Sequence, residues 1–136
     1  MKRVANKLVR SCVEALEEFT NTNQTITGTY RTLDDGTSVY VVTSYGDHWP
    51  MYVAIHRDSG WQWLHNSDPT PSSTTTRHMG FARPWLYNGG CRITYPQLAP
   101  TPRNHLIYLL ENGLTAYTAK LLSREPFPDY PYPINR

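Results

Sequence analysis

Four short runs with β-strand composition occupy the middle of the chain, and this pattern constrains the fold more than any other feature. The runs are Thr25 to Leu33, Thr37 to Ser44, Met51 to His56 and Trp61 to His65. Asp34-Asp35-Gly36 and Arg57-Asp58-Ser59-Gly60, which separate two of the pairs, are typical of tight turns. The pattern predicts a four-stranded antiparallel meander, with one face buried against a helix and the other facing water.

A helical pattern precedes the meander. Between Arg3 and Phe19, apolar residues recur every three or four positions, which predicts an amphipathic helix; they are Val4, Leu8, Cys12, Ala15, Leu16 and Phe19. The helix is expected to end at Thr20 to Thr25, because Thr, Asn and Gln side chains there compete for backbone hydrogen bonds.

The segment after the meander is predicted to be largely irregular. Residues 66–73 have the composition of a loop, and Thr74-Thr75-Thr76 favours an extended backbone leading into Arg77-His78. A turn at Asn88-Gly89-Gly90 then precedes a short predicted strand, Cys91 to Tyr95.

Two structures are compatible with the C-terminal region. Thr101-Pro102 is typical of a helix start, and a leucine stripe follows until Asn112-Gly113, which predicts a first helix. Leu114 to Arg124 fits a second helix, but the two segments also fit a hairpin around Asn112-Gly113. Both alternatives remain open at this point.

One domain and a tail account for the whole chain. Its 136 residues suit a single core, so residues 1–124 are predicted to form one domain. The predicted class is α+β, with an N-terminal helix on an antiparallel sheet of four to five strands and one or two C-terminal helices. Residues 125–136 carry four prolines and are predicted to be extended, packing on the body or reaching a partner.

Charge and cysteine content exclude several classes of protein. A net charge of +2 provides neither the strong basic field of a duplex DNA-binding protein nor the acidity of a DNA mimic. No apolar stretch approaches the roughly 20 residues that cross a bilayer, and the N-terminus lacks the apolar run of a signal peptide. With two cysteines in addition, the chain is expected to be cytoplasmic.

One set of residues could carry out phosphate chemistry. Arg77 could hold a phosphate while His78 moves a proton, and Asp47 could orient the imidazole if the two loops meet, with His48 as a further candidate. The alternative is structural: the Thr hydroxyls and Arg77 cap loops and sheet edges, and His78 binds a carbonyl. No catalytic motif matches this set, so the structural alternative is favoured.

Metal, cofactor and thiol chemistry are not predicted. His48, His56, His65 and Asp47 do not have the spacing of a known metal site, so neither a metal nor a cofactor is expected. Cys12 lies on the apolar face of the first predicted helix and should be buried. Cys91, beside Arg92, is the more exposed of the two, and packing roles are predicted for both.

Two kinds of macromolecular binding surface can be drawn from the sequence. Arginines alternate with aromatic residues between positions 77 and 92, which would suit single-stranded nucleic acid, although the same aromatics also fit a core; these residues are Arg77, Phe81, Arg83, Trp85, Tyr87 and Arg92. A protein partner would instead contact Trp49 and the Pro/Tyr tail. Trp61 and Trp63 share one strand face and form either core or one surface patch, with core favoured.

Two short motifs resemble a known group. Ser44-Tyr45-Gly46 at a strand end, followed by a Trp-containing strand and then Thr74-Thr75-Thr76-Arg77-His78, is similar to small proteins of unknown function encoded by bacteriophages and other mobile elements. The resemblance covers residues 39–84, with Thr76 where the group has Ser. It implies a phage accessory protein acting inside a bacterial host.

The resulting functional expectation is a non-enzymatic phage accessory protein. It would bind a host protein or nucleoprotein complex and inhibit a bacterial defence system; the residues expected to bind are Arg77, His78, Trp49, Tyr45, Arg83 and Arg92. One alternative is a single-stranded nucleic-acid-binding protein. The other is a small enzyme acting on a phosphate-containing substrate with His78, His48 and Asp47.

Overall fold

The computed structural model describes residues 1–84, 86–88, 91–93 and 98–131. Within them the fold is α+β, as predicted. The strands are β1 (Lys2–Val4), β2 (Phe19–Asn21), β3 (Ile26–Thr32), β4 (Ser38–Ser44), β5 (Pro50–Arg57), β6 (Gly60–Asn66), β7 (Leu86–Asn88), β8 (Cys91–Ile93) and β9 (Leu98–Thr101). The helices are α1 (Asn6–Glu14), α2 (Ser73–Ala82), α3 (Arg103–Asn112) and α4 (Leu114–Ser123).

Seven strands form one mixed sheet in the order β1-β2-β3-β4-β5-β6-β9, and β7 pairs separately with β8. The predicted meander is confirmed as β3 to β6, with antiparallel pairing throughout. The sheet is larger than predicted, because β2 joins β3 and because β1 and β9 add parallel pairs at the two edges. The predicted strand at Cys91 to Tyr95 is present as β8 as far as Ile93.

Both faces of the sheet are buried, so the prediction that one face meets water is wrong. Alternate residues of β4 enter two different apolar clusters, because successive side chains of a strand point to opposite faces. Tyr40 and Val42 pack with residues of α1 and α2 on one face. Val39 and Val41 pack with residues of α3 and α4 on the other. The uninterrupted apolar run Val39 to Val42 is typical of such two-sided burial.

The first helix is shorter than predicted. Arg3 belongs to β1 and Phe19 to β2, so the two ends of the predicted helix lie in strands that pair with each other in parallel. Leu16 has a φ of 56°, a left-handed conformation that an α-helix does not continue through. The chain therefore turns back after α1 and begins β2. Cys12 is buried on α1, as predicted, and its burial raises the pKa of the thiol.

The predicted extended backbone at Thr74 to His78 is wrong, because these residues form the first half of α2 after Ser73. Threonine alone does not favour helix, but the Ser72 side chain accepts a hydrogen bond from the Thr75 amide at 3.1 Å and caps the first turn. Tyr52 on β5 donates a hydrogen bond from its hydroxyl to the Met79 carbonyl at 3.0 Å. The cap and this contact hold the helix against the sheet.

Two helices, and not a hairpin, follow β9. Gly113, with a φ of 95°, separates α3 from α4. The Asp35 carboxylate, in the turn between β3 and β4, accepts hydrogen bonds from the Thr115 amide at 2.9 Å and hydroxyl at 3.1 Å. Asp35 therefore caps α4 from a distant part of the chain.

The described part of the tail packs on the body. Phe127 stacks on His105 of α3 with ring centroids 3.7 Å apart, and the Asn104 side chain donates a hydrogen bond to the Pro128 carbonyl at 3.3 Å. Residues 132–136 lie outside the described residues. None of the helices in the described ranges has the length and apolar character needed to cross a membrane.

Candidate functional site

The two sequence motifs, Ser44-Tyr45-Gly46 and Thr74 to His78, meet in space. Ser44 and His78 are 34 residues apart in sequence, yet the Ser44 hydroxyl and the His78 Nδ1 atom are hydrogen-bonded at 2.7 Å. Either group can donate, according to the tautomer of the imidazole. The ring of Tyr45 lies beside the same imidazole, with centroids 5.2 Å apart. The two motifs are therefore parts of one site.

The backbone after β4 has an unusual conformation that helps to form this site. Tyr45 has a φ of 56° and Gly46 a φ of 84°. A positive φ is costly for an aromatic residue, and such strain concentrates at functional sites. The Tyr45 amide donates a hydrogen bond to the Thr25 carbonyl at 2.9 Å, which holds the turn in place.

A cleft of about 150 Å³ opens at the meeting point, and we call it the motif cleft. From α2 it is lined by side chains at i, i+3, i+4 and i+7, which share one helix face; they are Thr74, Arg77, His78 and Phe81. The opposite wall comes from α1 and from the turns beside β3; it consists of Asn6, Asn23, Thr25 and Tyr45. The cleft is thus lined mostly by hydrogen-bonding groups.

The electrostatics of the motif cleft favour an anion. His78 is buried, and burial, with a smaller effect from the Arg77 guanidinium, lowers the pKa of its imidazole below the usual value. His78 is therefore neutral at pH 7, and Arg77 is exposed with no hydrogen bond or ion pair to the described part of the chain. None of the described side chains lining the cleft is acidic. The positive charge of Arg77 is thus uncompensated at the cleft.

A buried asparagine holds the wall opposite α2. The Asn21 side chain is fully buried, and its Oδ1 atom accepts hydrogen bonds from the amides of Thr25 at 2.7 Å and Ile26 at 2.9 Å. Its Nδ2 atom donates to the Asn6 Oδ1 and the Thr25 Oγ1 atoms, both at 2.9 Å. Asn21 does not line the cleft, but it positions two residues that do.

A second cleft, of about 200 Å³, continues from the first between α1 and α2, and we call it the interhelical cleft. It shares Asn6 and Phe81 with the motif cleft, and its other lining residues are Lys7, Arg10, Ser11, Glu14 and Gly80. Arg10 donates hydrogen bonds to the carbonyls of Arg83 at 2.9 Å and Gly80 at 2.8 Å, so it links the two helices. The two clefts adjoin at Asn6 and Phe81, and we call them together the groove.

The proposed catalytic residues are not gathered at this site. The Asp47 carboxylate binds the Arg31 guanidinium at 2.6 Å and does not line the motif cleft. The His48 carbonyl accepts a hydrogen bond from Arg103 at 2.8 Å, and the exposed His48 side chain is likewise absent from the cleft lining. The partner of His78 is Ser44, which sequence reasoning did not propose.

Of the six predicted binding residues, Tyr45, Arg77 and His78 share the motif cleft. The expectation that Trp49 is an exposed contact is wrong, because its side chain is completely buried, with the Arg103 guanidinium 5.9 Å from its ring centroid. Arg83 lies just after α2, where its carbonyl receives a hydrogen bond from Arg10. Arg92 belongs to β8, but its side chain is outside the described residues.

The other candidates mostly have structural positions. Trp63 is buried in the core and Trp61 packs against it, which confirms the preferred interpretation of this pair. Among the described residues, no group of three or more His, Cys, Asp or Glu side chains could hold a metal ion. Trp85 and the side chain of Cys91 lie outside the part of the chain that the structure describes.

Several residues that line the two clefts were not predicted from the sequence. Asn23 belongs to the polar run that was interpreted only as a helix stop, Thr25 to that run and to the start of a predicted strand, and no functional role was predicted for Asn6, Lys7 and Arg10 in the first helix. The one available signal was the density of Asn and Thr side chains at positions 20–25, because such a cluster beside a strand also suits ligand binding. Nothing in the sequence brings that run to α2.

Comparisons with known protein families, with curated proteins and with solved structures found no match.

Proposed function

We propose that this chain is a non-enzymatic binding protein that holds a macromolecule in the groove formed by the motif cleft and the interhelical cleft. The observation that carries the proposal is the convergence of Tyr45, Arg77 and His78 in one cleft that opens to solvent. Arginine and tyrosine are the residue types in which binding energy concentrates at macromolecular interfaces.

The arrangement of the clefts suits an extended ligand. The motif cleft measures about 150 Å³ and the interhelical cleft about 200 Å³, and each alone is smaller than the roughly 300–1000 Å³ of pockets that enclose small molecules. A ligand that follows both clefts would be extended and would contact α1, α2 and the Tyr45 turn at the same time.

The contacts at His78 support binding over catalysis. Ser44, the hydrogen-bond partner of His78, has no exposed surface, so a substrate cannot reach its hydroxyl as it would reach a nucleophile. The carboxylate proposed to orient His78 belongs to Asp47, which pairs with Arg31 instead. The Ser44–His78 pair then serves to fix the position of α2 relative to Tyr45.

The resemblance of the two motifs to phage proteins supports the biological part of the proposal. We extend the proposal to a partner in a bacterial host, where binding would inhibit a defence system. Expression of the chain in a defended bacterium should then raise the plating efficiency of a sensitive phage, and Arg77→Ala should remove the effect.

The binding claim is tested with tagged full-length protein exposed to a bacterial cell extract. The wild type should retain one macromolecular species in near-stoichiometric amount, and Arg77→Ala should lose most of it, because the exposed guanidinium contacts the ligand directly. The matched control is Arg57→Ala, which removes the same charge from an exposed arginine of β5 that lies outside both clefts.

The proposal fails if Arg77→Ala retains as much of that species as Arg57→Ala does. It also fails if the wild type retains no macromolecule from any bacterial extract while folding normally.

A further inference from the structure

We infer that the ligand of the groove is a single-stranded nucleic acid whose phosphates meet Arg77, Arg10 and Lys7 and whose bases stack on Tyr45 and Phe81. The inference rests on the proposed function and gives its partner a chemical class. It differs from the sequence-based prediction that residues 77–92 form the binding segment, because α1 supplies five of the thirteen described residues that line the two clefts.

The charges of the groove suit a polyanion. Lys7 and Arg10 line the interhelical cleft and Arg77 lines the motif cleft, while Glu14 is the one acidic residue among the described side chains of the two clefts. Arg10 keeps its positive charge while it donates to two carbonyls of the α2 end. A chain of phosphates would therefore meet cations at both ends of the groove.

Aromatic side chains line the same clefts as these cations. Tyr45 is 43% exposed and borders the motif cleft. Phe81 is partly exposed and belongs to the lining of both clefts, four residues after Arg77 on the same face of α2. A cationic groove with aromatic platforms binds single strands, because unpaired bases stack on the rings while the phosphates follow the charges. An acidic peptide would pair with the cations but would have no bases to stack on the aromatic rings.

Neutral donors complete the site. Asn6, Asn23, Thr25 and Thr74 surround the space beside Arg77, and each can donate to a phosphate or sugar oxygen. His78 is neutral at pH 7, so its ring can accept or donate a hydrogen bond without adding charge. Such contacts to the sugar-phosphate backbone of the nucleic acid do not depend on its base sequence. We therefore expect the protein to show a weak preference for particular sequences.

Fluorescence anisotropy with a labelled oligothymidine of about 16 nucleotides, the upper site size of a single-strand-binding fold, tests the inference. The logarithm of the affinity should fall with the logarithm of salt concentration with a slope of about −2, since each phosphate that a cation neutralises on a single strand contributes about −0.7. Arg77→Ala should bring this slope closer to zero by about 0.7 and weaken binding about tenfold. Arg57→Ala should change neither the slope nor the affinity.

A second pair of variants tests stacking. Tyr45→Ala should weaken binding about tenfold or more at unchanged salt slope, and Tyr45→Phe should keep the affinity because it keeps the ring. A duplex of the same length and a polyglutamate peptide of the same charge should both bind more weakly than the oligothymidine.

The inference is overturned if the affinity is independent of salt, if Arg77→Ala binds the oligothymidine as the wild type does, or if polyglutamate binds as tightly as the single strand. Its failure can be separated from failure of the proposed function. If Arg77-dependent retention from the bacterial extract survives nuclease treatment and oligonucleotides do not bind, the partner is a protein and only this inference falls.

Discussion

Gly28, in the centre of β3, illustrates how tightly one residue can determine the packing of the core. A Cβ atom there would lie 2.5 Å from Cε1 of Phe19 and 2.6 Å from the hydroxyl of Tyr40, and both of these side chains are fully buried. We predict that Gly28→Ala lowers the free energy of unfolding by about 1–3 kcal/mol through overpacking, measured by urea denaturation.

Gly80→Ala is the matched control for this prediction. A Cβ atom at Gly80 would meet nothing within 4 Å, so alanine in that helical position should leave the stability unchanged or raise it by about 1 kcal/mol. Equal destabilisation by the two substitutions would contradict the packing around Gly28.

Asn21 is the residue on which the wall of the motif cleft depends. Asn21→Ala would leave the amides of Thr25 and Ile26 without the acceptor they now share. An unsatisfied buried group costs about 1–3 kcal/mol, so we predict a fall of at least that size in the free energy of unfolding. Asn23→Ala, at an exposed position beside it, should change stability by less than about 0.5 kcal/mol. If both variants are equally stable, the network around Asn21 is not formed.

Single residues were predictable from sequence where periodicity applied to them. The helical spacing of Cys12 and the strand alternation of Trp63 predicted burial for both, and both are buried. Trp49 stands in the polar segment Asp47-His48-Trp49-Pro50, where no period relates it to an apolar face, and it was wrongly expected to be exposed. The Ser44–His78 contact depends on tertiary folding, and no local pattern predicts it.

At the scale of elements, the β3–β4 turn and α4 stabilise each other through Asp35. The hydrogen bond from the Thr115 amide, with further ones from Thr37, lowers the pKa of the Asp35 carboxyl well below its usual value. A carboxyl whose pKa is lower in the folded state stabilises the protein at pH values above its ordinary pKa of 3.8. This stabilisation is lost progressively as the pH falls below 3.8.

We therefore predict that Asp35→Asn lowers the Tm at neutral pH by about 3 °C through loss of the helix cap. The variant should also show a smaller decrease of Tm on acidification below about pH 4 than the wild type. Asp34→Asn, in the same turn but without these contacts, is the control. Identical acid sensitivity of Asp35→Asn and the wild type would exclude this role of Asp35.

Elements were predictable in proportion to their length and their local signals. The seven- and eight-residue strands β3 to β6 carry turn residues at their ends and were predicted correctly. By contrast, β1, β2 and β9 have three or four residues each and exist because they pair with the sheet. The helix α2 was missed because its threonines favour extended backbone in isolation, while the cap at Ser72 and packing on the sheet favour helix.

At the scale of the whole molecule, three histidines in different elements are expected to couple stability to mild acid. Burial is the main cause that lowers the pKa of His65 on β6, His78 on α2 and His105 on α3. A histidine whose pKa is lower when folded takes up protons more readily when unfolded, so acidification below its ordinary pKa of 6.5 favours the unfolded state.

We predict that the Tm falls as the pH is lowered from about 7 to about 5, in a window set by the ordinary histidine pKa. His105→Gln should reduce this dependence, because it removes one of the three imidazoles whose pKa is lowered by burial. A Tm that is constant or rises over the same pH interval would show that these imidazoles are not buried as described.

The groove is a property of the whole molecule, because its walls come from α1, the β2–β3 turn, the Tyr45 turn and α2. Photo-crosslinking therefore tests it most directly, with a photoreactive phenylalanine analogue, which keeps an aromatic ring, in place of Tyr45 and, as control, in place of Leu122, which is 79% exposed on α4. In a bacterial extract, the probe at Tyr45 should form a crosslink to one macromolecular species and the probe at Leu122 should not. Absence of any crosslink from position 45, or equal crosslinking from both positions, would contradict binding in the groove.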